Sequence, residues 1–199
     1  DCALWGGLVN DKTEDLAEMA AAGVCAFKAF TCCAGDDFPY VTRDILLKGM
    51  LEAAKHNFLI GVHCEDEEII SAMEIDARSS GNNSVRDFLC AHPPISEEKA
   101  VDMVLEAAEI SGARVHICHA TLPSVVRKVT AAKSRGIKAT VETCPHYLIF
   151  TEDDLEKQQG FLKCTPPVRK QDDVEGMWEM LLSGKIDIVS SDHSPSTLS

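Results

Sequence analysis

Residues 114–143 read RVHICHATLPSVVRKVTAAKSRGIKATVET, and their pattern carries the fold. Arg114–His119 is a short apolar run of strand length. Pro123 to Gly136 then places Val125, Val126, Val129 and Ala132 on one stripe, the signature of a helix with a single buried face. Lys138–Thr143 returns to β-branched residues. Strand, helix and strand in that order describe two parallel strands joined by a helical crossover.

The same grammar extends outward in both directions. Strands are expected at Asp1–Trp5, Val24–Phe30, Phe58–His63, Arg114–His119, Lys138–Thr143 and Ile186–Ser191. Their near-continuous apolar character predicts burial on both faces. A helix is expected from Ser96, read as its cap, with Glu97 and Glu98 near the positive end of the dipole. Its stripe is Val101, Val104, Leu105 and Ala108, and Gly112 is its stop. Further helices are expected over Asp11–Gly23, around Leu16, Met19 and Ala20, and over Asp172–Gly184, around Val174, Met177, Trp178 and Leu181. The polar stretch Glu65–Pro94 predicts one or two extra helices outside the basic unit. Repeats, low-complexity tracts and an interdomain linker are absent from the sequence. The fold class is therefore α/β. An open doubly wound sheet and most of an eight-stranded barrel both satisfy this periodicity.

Bulk properties narrow the function. The 199 residues are 45% hydrophobic and 26% charged, as in a globular protein with a sizeable core. A net charge of −13 gives no electrostatic support to nucleic-acid binding. The best apolar run, Phe58–His63, is far too short to span a membrane. The nine cysteines are odd in number and irregularly spaced, without Cys-x-x-Cys, and several lie inside apolar runs (Cys25, Cys64, Cys118). Reduced thiols packed as small hydrophobes, in a cytoplasmic protein, are the expectation. The chain begins at Asp1 without an initiator Met or signal peptide and stops at Ser199 just after a strong motif. Both ends read as cut, so a piece of a longer chain is expected.

Four strands end on a residue that does not suit an apolar strand. Lys28 lies within Cys25–Phe30, His63 closes Leu59–His63, His119 closes Val115–His119, and Asp192 follows Ile188–Ser191. In a parallel barrel the strand C-termini open onto one face, which carries the active site. A lone His at a strand end is more often a satisfied polar residue, and a lone Asp after a strand more often a helix cap. Lys28 is harder to dismiss, because Phe27 and Phe30 beside it predict burial, and a buried ammonium is costly unless neutralised. A neutral amine can take up carbon dioxide to become an anionic carbamate. Together the four positions favour a metal site.

The ordered motifs Ala26-Phe27-Lys28-Ala29-Phe30, Val62-His63-Cys64-Glu65, Cys118-His119-Ala120, Cys144-Pro145-His146-Tyr147-Leu148, Lys163-Cys164-Thr165-Pro166-Pro167-Val168-Arg169 and Ser191-Asp192-His193-Ser194-Pro195 resemble those of the cyclic amidohydrolases. That group of the amidohydrolase superfamily contains dihydroorotase, dihydropyrimidinase/hydantoinase and allantoinase. The likeness runs from end to end, and four stretches are most similar to the allantoinase branch: Leu4–Val9, Phe27–Phe30, Gly176–Trp178 and Ser191–Pro195.

The resemblance implies a partial (β/α)8 TIM-like barrel over residues 1–199, its strands corresponding to barrel strands three to eight. The first strands and the β-sandwich domain of the family have no counterpart here. It implies two divalent metal ions, zinc first with cobalt, manganese or iron as alternatives, bridged by carboxylated Lys28. His63 and His119 would ligate one ion and Asp192 the other. Asp192 would also be the catalytic base and acid, and Thr165 would contact the substrate ring. The implied reaction is hydrolysis of a cyclic amide C–N bond, allantoin to allantoate in purine catabolism, by a homo-oligomeric enzyme. The substrate would be a small cyclic ureide. One departure is marked: the His-x-His pair of the family's first strand occurs nowhere in this chain. The isolated chain is therefore expected to be inactive and, with open sheet edges, to associate.

Three rivals remain: a dihydroorotase or hydantoinase using another ring, a non-catalytic assembly protein of the same fold, and a generic α/β binding protein. Other polar residues get plainer readings. His146 is assigned a structural hydrogen bond, His193 the orientation of the loop after Asp192, and His116 a place packed outside the site. His56 and His92 are assigned to the surface, Thr31–Tyr40 to an active-site loop, and Cys32 and Cys33 no role.

Overall fold

A computed structural model describes residues 1–9, 12–35, 38–81 and 83–194. Asp11, the paired Asp36 and Asp37 of the expected active-site loop, and Pro195 of the last motif lie outside the described residues. Strands β1 (Trp5–Gly7), β2 (Ala26–Phe30), β3 (Leu59–His63), β4 (Arg114–Ile117), β5 (Ala139–Thr143) and β6 (Ile188–Val189) form one sheet. Every adjacent pair is parallel, and the spatial order is the chain order, β1 to β6. A doubly wound sheet reverses its strand order at a switch point. This one always steps the same way, so the architecture is that of a partial, unclosed barrel.

Pairing register separates the two faces of the sheet. Phe27, Ile60, Val115 and Ala139 align across β2 to β5, as do Ala29, Val62, Ile117 and Val141. All eight are buried in the main core with the helices. Lys28, Gly61, His116 and Thr140 align on the opposite, inner face. Burial on both faces holds in the central strands β3 and β4, whereas Lys28, Phe30, Thr140 and Glu142 of the flanking strands are half-buried. The first strand lies further along than Asp1–Trp5, because β1 takes its register from Trp5 opposite Ala26, leaving residues 1–4 exposed. The last strand is shortened to two residues.

The crossovers are α1 (Asp15–Ala21), α2 (Arg43–Lys55), α3 (Glu67–Ser79), α4 (Val85–Ala91), α5 (Pro94–Ser111), α6 (Pro123–Ser134), α7 (Glu152–Gln158) and α8 (Gln171–Leu182). The polar stretch after Glu65 supplies two helices, α3 capped by Asp66 and α4 by a Ser84–Asp87 capping box. Helix α2 buries Leu46, Met50 and Ala53 behind the cap Thr42. Gly112 ends α5 in the left-handed region at φ 70°, donating its N–H to Ala108. Ser96 is not the cap of α5. The helix starts two residues earlier at Pro94, whose fixed φ suits the first helical position, so Ser96 is buried inside the first turn with its hydroxyl unpartnered. No described helix is long and apolar enough to cross a membrane.

Candidate metal centre

The site grows from the C-terminal ends of the strands. His63 is the last residue of β3, and His119 follows β4 by two. Both are buried, and His63 Nδ1 lies 3.2 Å from His119 Nε2. The backbone of His119 adopts φ 38°, an uncommon conformation for a residue with a side chain. Thr31, one residue beyond β2, ties the two neighbouring strand ends together. Its hydroxyl lies 2.9 Å from the His63 carbonyl and 2.8 Å from that of Glu65, and it accepts the Glu65 N–H at 3.1 Å.

Glu65 turns back beneath His63. One carboxylate oxygen accepts from His63 Nε2 at 2.8 Å and the other from His92 Nδ1 at 2.8 Å. Burial acts to raise the Glu65 pKa, but the hydrogen bonds from His63 and His92 outweigh it and hold the carboxyl down at about 2. In the tautomer that donates Nε2–H to Glu65, His63 keeps a lone pair on Nδ1, the atom that faces His119. Burial, and then the charges of His63 and Lys28, hold the His119 pKa well below 6.5. Its Nδ1 is buried without a hydrogen-bond partner. Two adjoining imidazoles, one kept neutral and one held by a carboxylate, offer two of the nitrogen donors that a divalent metal at an N/O site can take.

The remaining predicted residues are less buried than this pair. Lys28 is half-buried rather than buried, because it sits on the inner face of an unclosed sheet, with Nζ 5.0 Å from the Phe30 ring centroid. Its charge is felt at His119, Cys118 and Cys64. Asp192 follows β6, exposed and at φ 47°, and its charge reaches Cys118, Cys144 and His146. Thr165 is exposed and lines a cleft of ≈ 330 Å³ together with Phe30, Cys32, His63, Glu65 and His92. Its loop is anchored where Tyr147 Oη donates to the Pro166 carbonyl at 2.7 Å.

Three assignments change. His92 is buried, not on the surface, because it is enclosed between α4 and α5 and bonded to Glu65. His116 faces inward, on the same side as Lys28, with Nδ1 2.8 Å from Thr140 Oγ1 and Nε2 3.3 Å from Glu142. Cys32 is not incidental in position: it lies with His63 and Glu65 in one potential metal-binding group, and His116, Cys118 and Glu142 form another. Burial, and then the charge of Glu65, pushes the Cys32 thiol far up, so it stays protonated and is the poorer ligand. His146 packs against Tyr147 with ring centroids 4.2 Å apart, and His193 is exposed.

No family model matches the chain. It is 39% identical over 196 residues to an allantoinase of Rubrobacter xylanophilus and 40% identical over 196 residues to one of Solibacter usitatus, in each case across 98% of this chain and 43% of the relative. An Escherichia coli allantoinase is 37% identical over 200 residues. Among solved structures, the L-hydantoinase (dihydropyrimidinase) of Arthrobacter aurescens superposes with a TM-score of 0.94 at 30% identity, over 97% of this chain and 43% of that one. A dihydroorotase of Campylobacter jejuni, at 16% identity and TM-score 0.68, shares the fold. The chain thus spans less than half the length of these allantoinases and of the hydantoinase. Its similarity to the cyclic amidohydrolase group extends over nearly all of its own length.

Proposed function

We propose that this chain carries most of the metal-binding core of a cyclic-amide hydrolase, and that the reaction is the opening of allantoin to allantoate. The observation that carries the proposal is the abutting His63–His119 pair at the C-terminal edge of the sheet, in a chain about 40% identical to an allantoinase. His63 and His119 would hold one divalent ion, with Lys28, as its carbamate, and Asp192 completing what this chain contributes. Bound there, the ions, zinc first, would lower the pKa of water to about 7 and polarise the ring carbonyl.

The chain's own residues set the rest of the chemistry. Carbamate formation would first take one proton from the Lys28 ammonium to give the neutral amine, then join its nitrogen to the carbon of carbon dioxide with loss of a second proton, turning a cation into an anionic ligand. Asp192 would accept the proton of the attacking water and then pass it to the leaving ring nitrogen as the C–N bond breaks, the two halves of acid–base duty. Thr165, on the rim of the His63 cleft, would contact the ring.

A hydantoin or dihydropyrimidine substrate is the second reading, favoured by the close superposition on the A. aurescens hydantoinase. The deciding experiment uses the protein as naturally expressed, reconstituted with zinc and bicarbonate. Ring-opening rates on allantoin, dihydroorotate and a 5-substituted hydantoin are compared. Preference for allantoin is expected. Preference for either other ring would retain the chemistry and reject the substrate, and inactivity on all three would reject the proposal.

A further inference from the structure

We propose that His92 is a positioning residue for the imidazole of His63, acting through Glu65. The inference rests on the reading of His63 as a metal ligand. His92 comes from the short connection between α4 and α5, not from a strand, yet it is buried against the floor of the site. Its Nδ1 lies 2.8 Å from Glu65 Oε1, while Glu65 Oε2 lies 2.8 Å from His63 Nε2. An ionised carboxylate only accepts hydrogen bonds. Glu65 therefore takes one N–H on each oxygen and is clamped between two rings. The clamp selects the His63 tautomer protonated at Nε2 and leaves Nδ1, the atom facing His119, with its lone pair.

The ends of the clamp are fixed independently. Thr31 holds the Glu65 backbone but does not reach its carboxylate, so the side-chain orientation depends on the two imidazoles. The His92 carbonyl accepts from Arg169 Nη1 at 2.6 Å, and Arg169 Nε donates to Thr121 Oγ1 at 2.8 Å. Thr121 lies two residues beyond His119. The buried polar network therefore runs from His119 through His63, Glu65, His92 and Arg169 back to the loop that carries His119. The ring of His92 also packs against Phe88 of α4, with centroids 4.8 Å apart, and its Nε2 is 3.9 Å from Glu74 of α3. Helices α3 and α4, which lie outside the basic strand–helix repeat, thus enclose the residue that aims a ligand.

Removing such an outer partner of a ligating histidine typically weakens metal binding about 10–100-fold. The test compares wild type with His92→Ala, His92→Asn and His92→Gln in the protein as naturally expressed. The tautomer of His63 is read by ¹⁵N NMR in metal-free protein, and zinc affinity by competition with a chelating dye. His92→Ala is expected to mix the His63 tautomers and weaken zinc binding by that factor. Asn can present an amide N–H near the position of Nδ1, so His92→Asn is expected to restore both readouts, and His92→Gln neither. Unchanged tautomer and affinity in a folded His92→Ala protein would overturn the inference. So would equal behaviour of the Asn and Gln variants, which decides the matter if the Ala variant does not fold. Wild-type protein that binds no zinc, but whose His63 tautomer still depends on residue 92, would reject the ligand reading and leave the positioning role standing.

Discussion

Among the described residues, four that are not glycine adopt positive φ: Asn57, His119, Gln159 and Asp192. Two of them are the proposed ligands His119 and Asp192, each just past the end of a strand. Such backbone costs on the order of 1–3 kcal/mol and persists where the surroundings impose it, most often at functional sites. Glu65 carries the residue-scale test. Its folded pKa of about 2 lies below the ordinary 4.5, so the unfolded chain binds more protons between these values. Its contribution to stability is complete above pH 4.5 and is lost as pH falls toward 2. Acid titration of unfolding free energy should therefore fall less steeply in Glu65→Gln than in wild type across this window. Equal slopes would contradict the clamped carboxylate. In the sequence His63, His119 and Asp192 stand out as polar residues closing or following apolar runs, and Lys28 as a cation inside one. Glu65 and His92 were not legible as partners. They are 27 residues apart, and only the docking of α3, α4 and α5 brings them together.

Helix α5 shows what an element hides. Its apolar stripe and its Gly112 stop follow from sequence, but its start does not, because Pro94 displaces the apparent cap Ser96 into the buried first turn. Glu97, expected in the first turn near the positive end of the dipole, is buried. It accepts from Arg169 Nη2 at 3.1 Å, from the Thr121 N–H at 2.9 Å and from the Thr121 hydroxyl. Burial pushes its pKa up, and the Arg169 charge opposes that rise. Breaking a buried pair by removing one partner costs about 3–5 kcal/mol, whereas replacing both by apolar residues is often nearly neutral. Urea denaturation should show Arg169→Met destabilised by about that amount and Glu97→Leu/Arg169→Met recovering much of it. A single variant as stable as wild type would show that the pair does not hold α5 to the segment between α7 and α8.

At the scale of the molecule, strand order does what periodicity could not. Alternating strands and helices fit two architectures, and the uninterrupted order β1 to β6 selects the partial barrel. That order brings the C-terminal ends of β3, β4 and β6 to one edge, with His63 closing β3, His119 and Asp192 just beyond β4 and β6, and Lys28 midway along β2. A metal bound to residues from several strands binds the folded state alone and stabilises it by mass action. The most direct measurement is the thermal midpoint of metal-free protein with and without added zinc, for wild type and for His63→Ala/His119→Ala. Zinc should raise the midpoint of wild type and leave the double variant unmoved. An equal rise in both proteins would contradict the assignment of the metal centre to these two histidines.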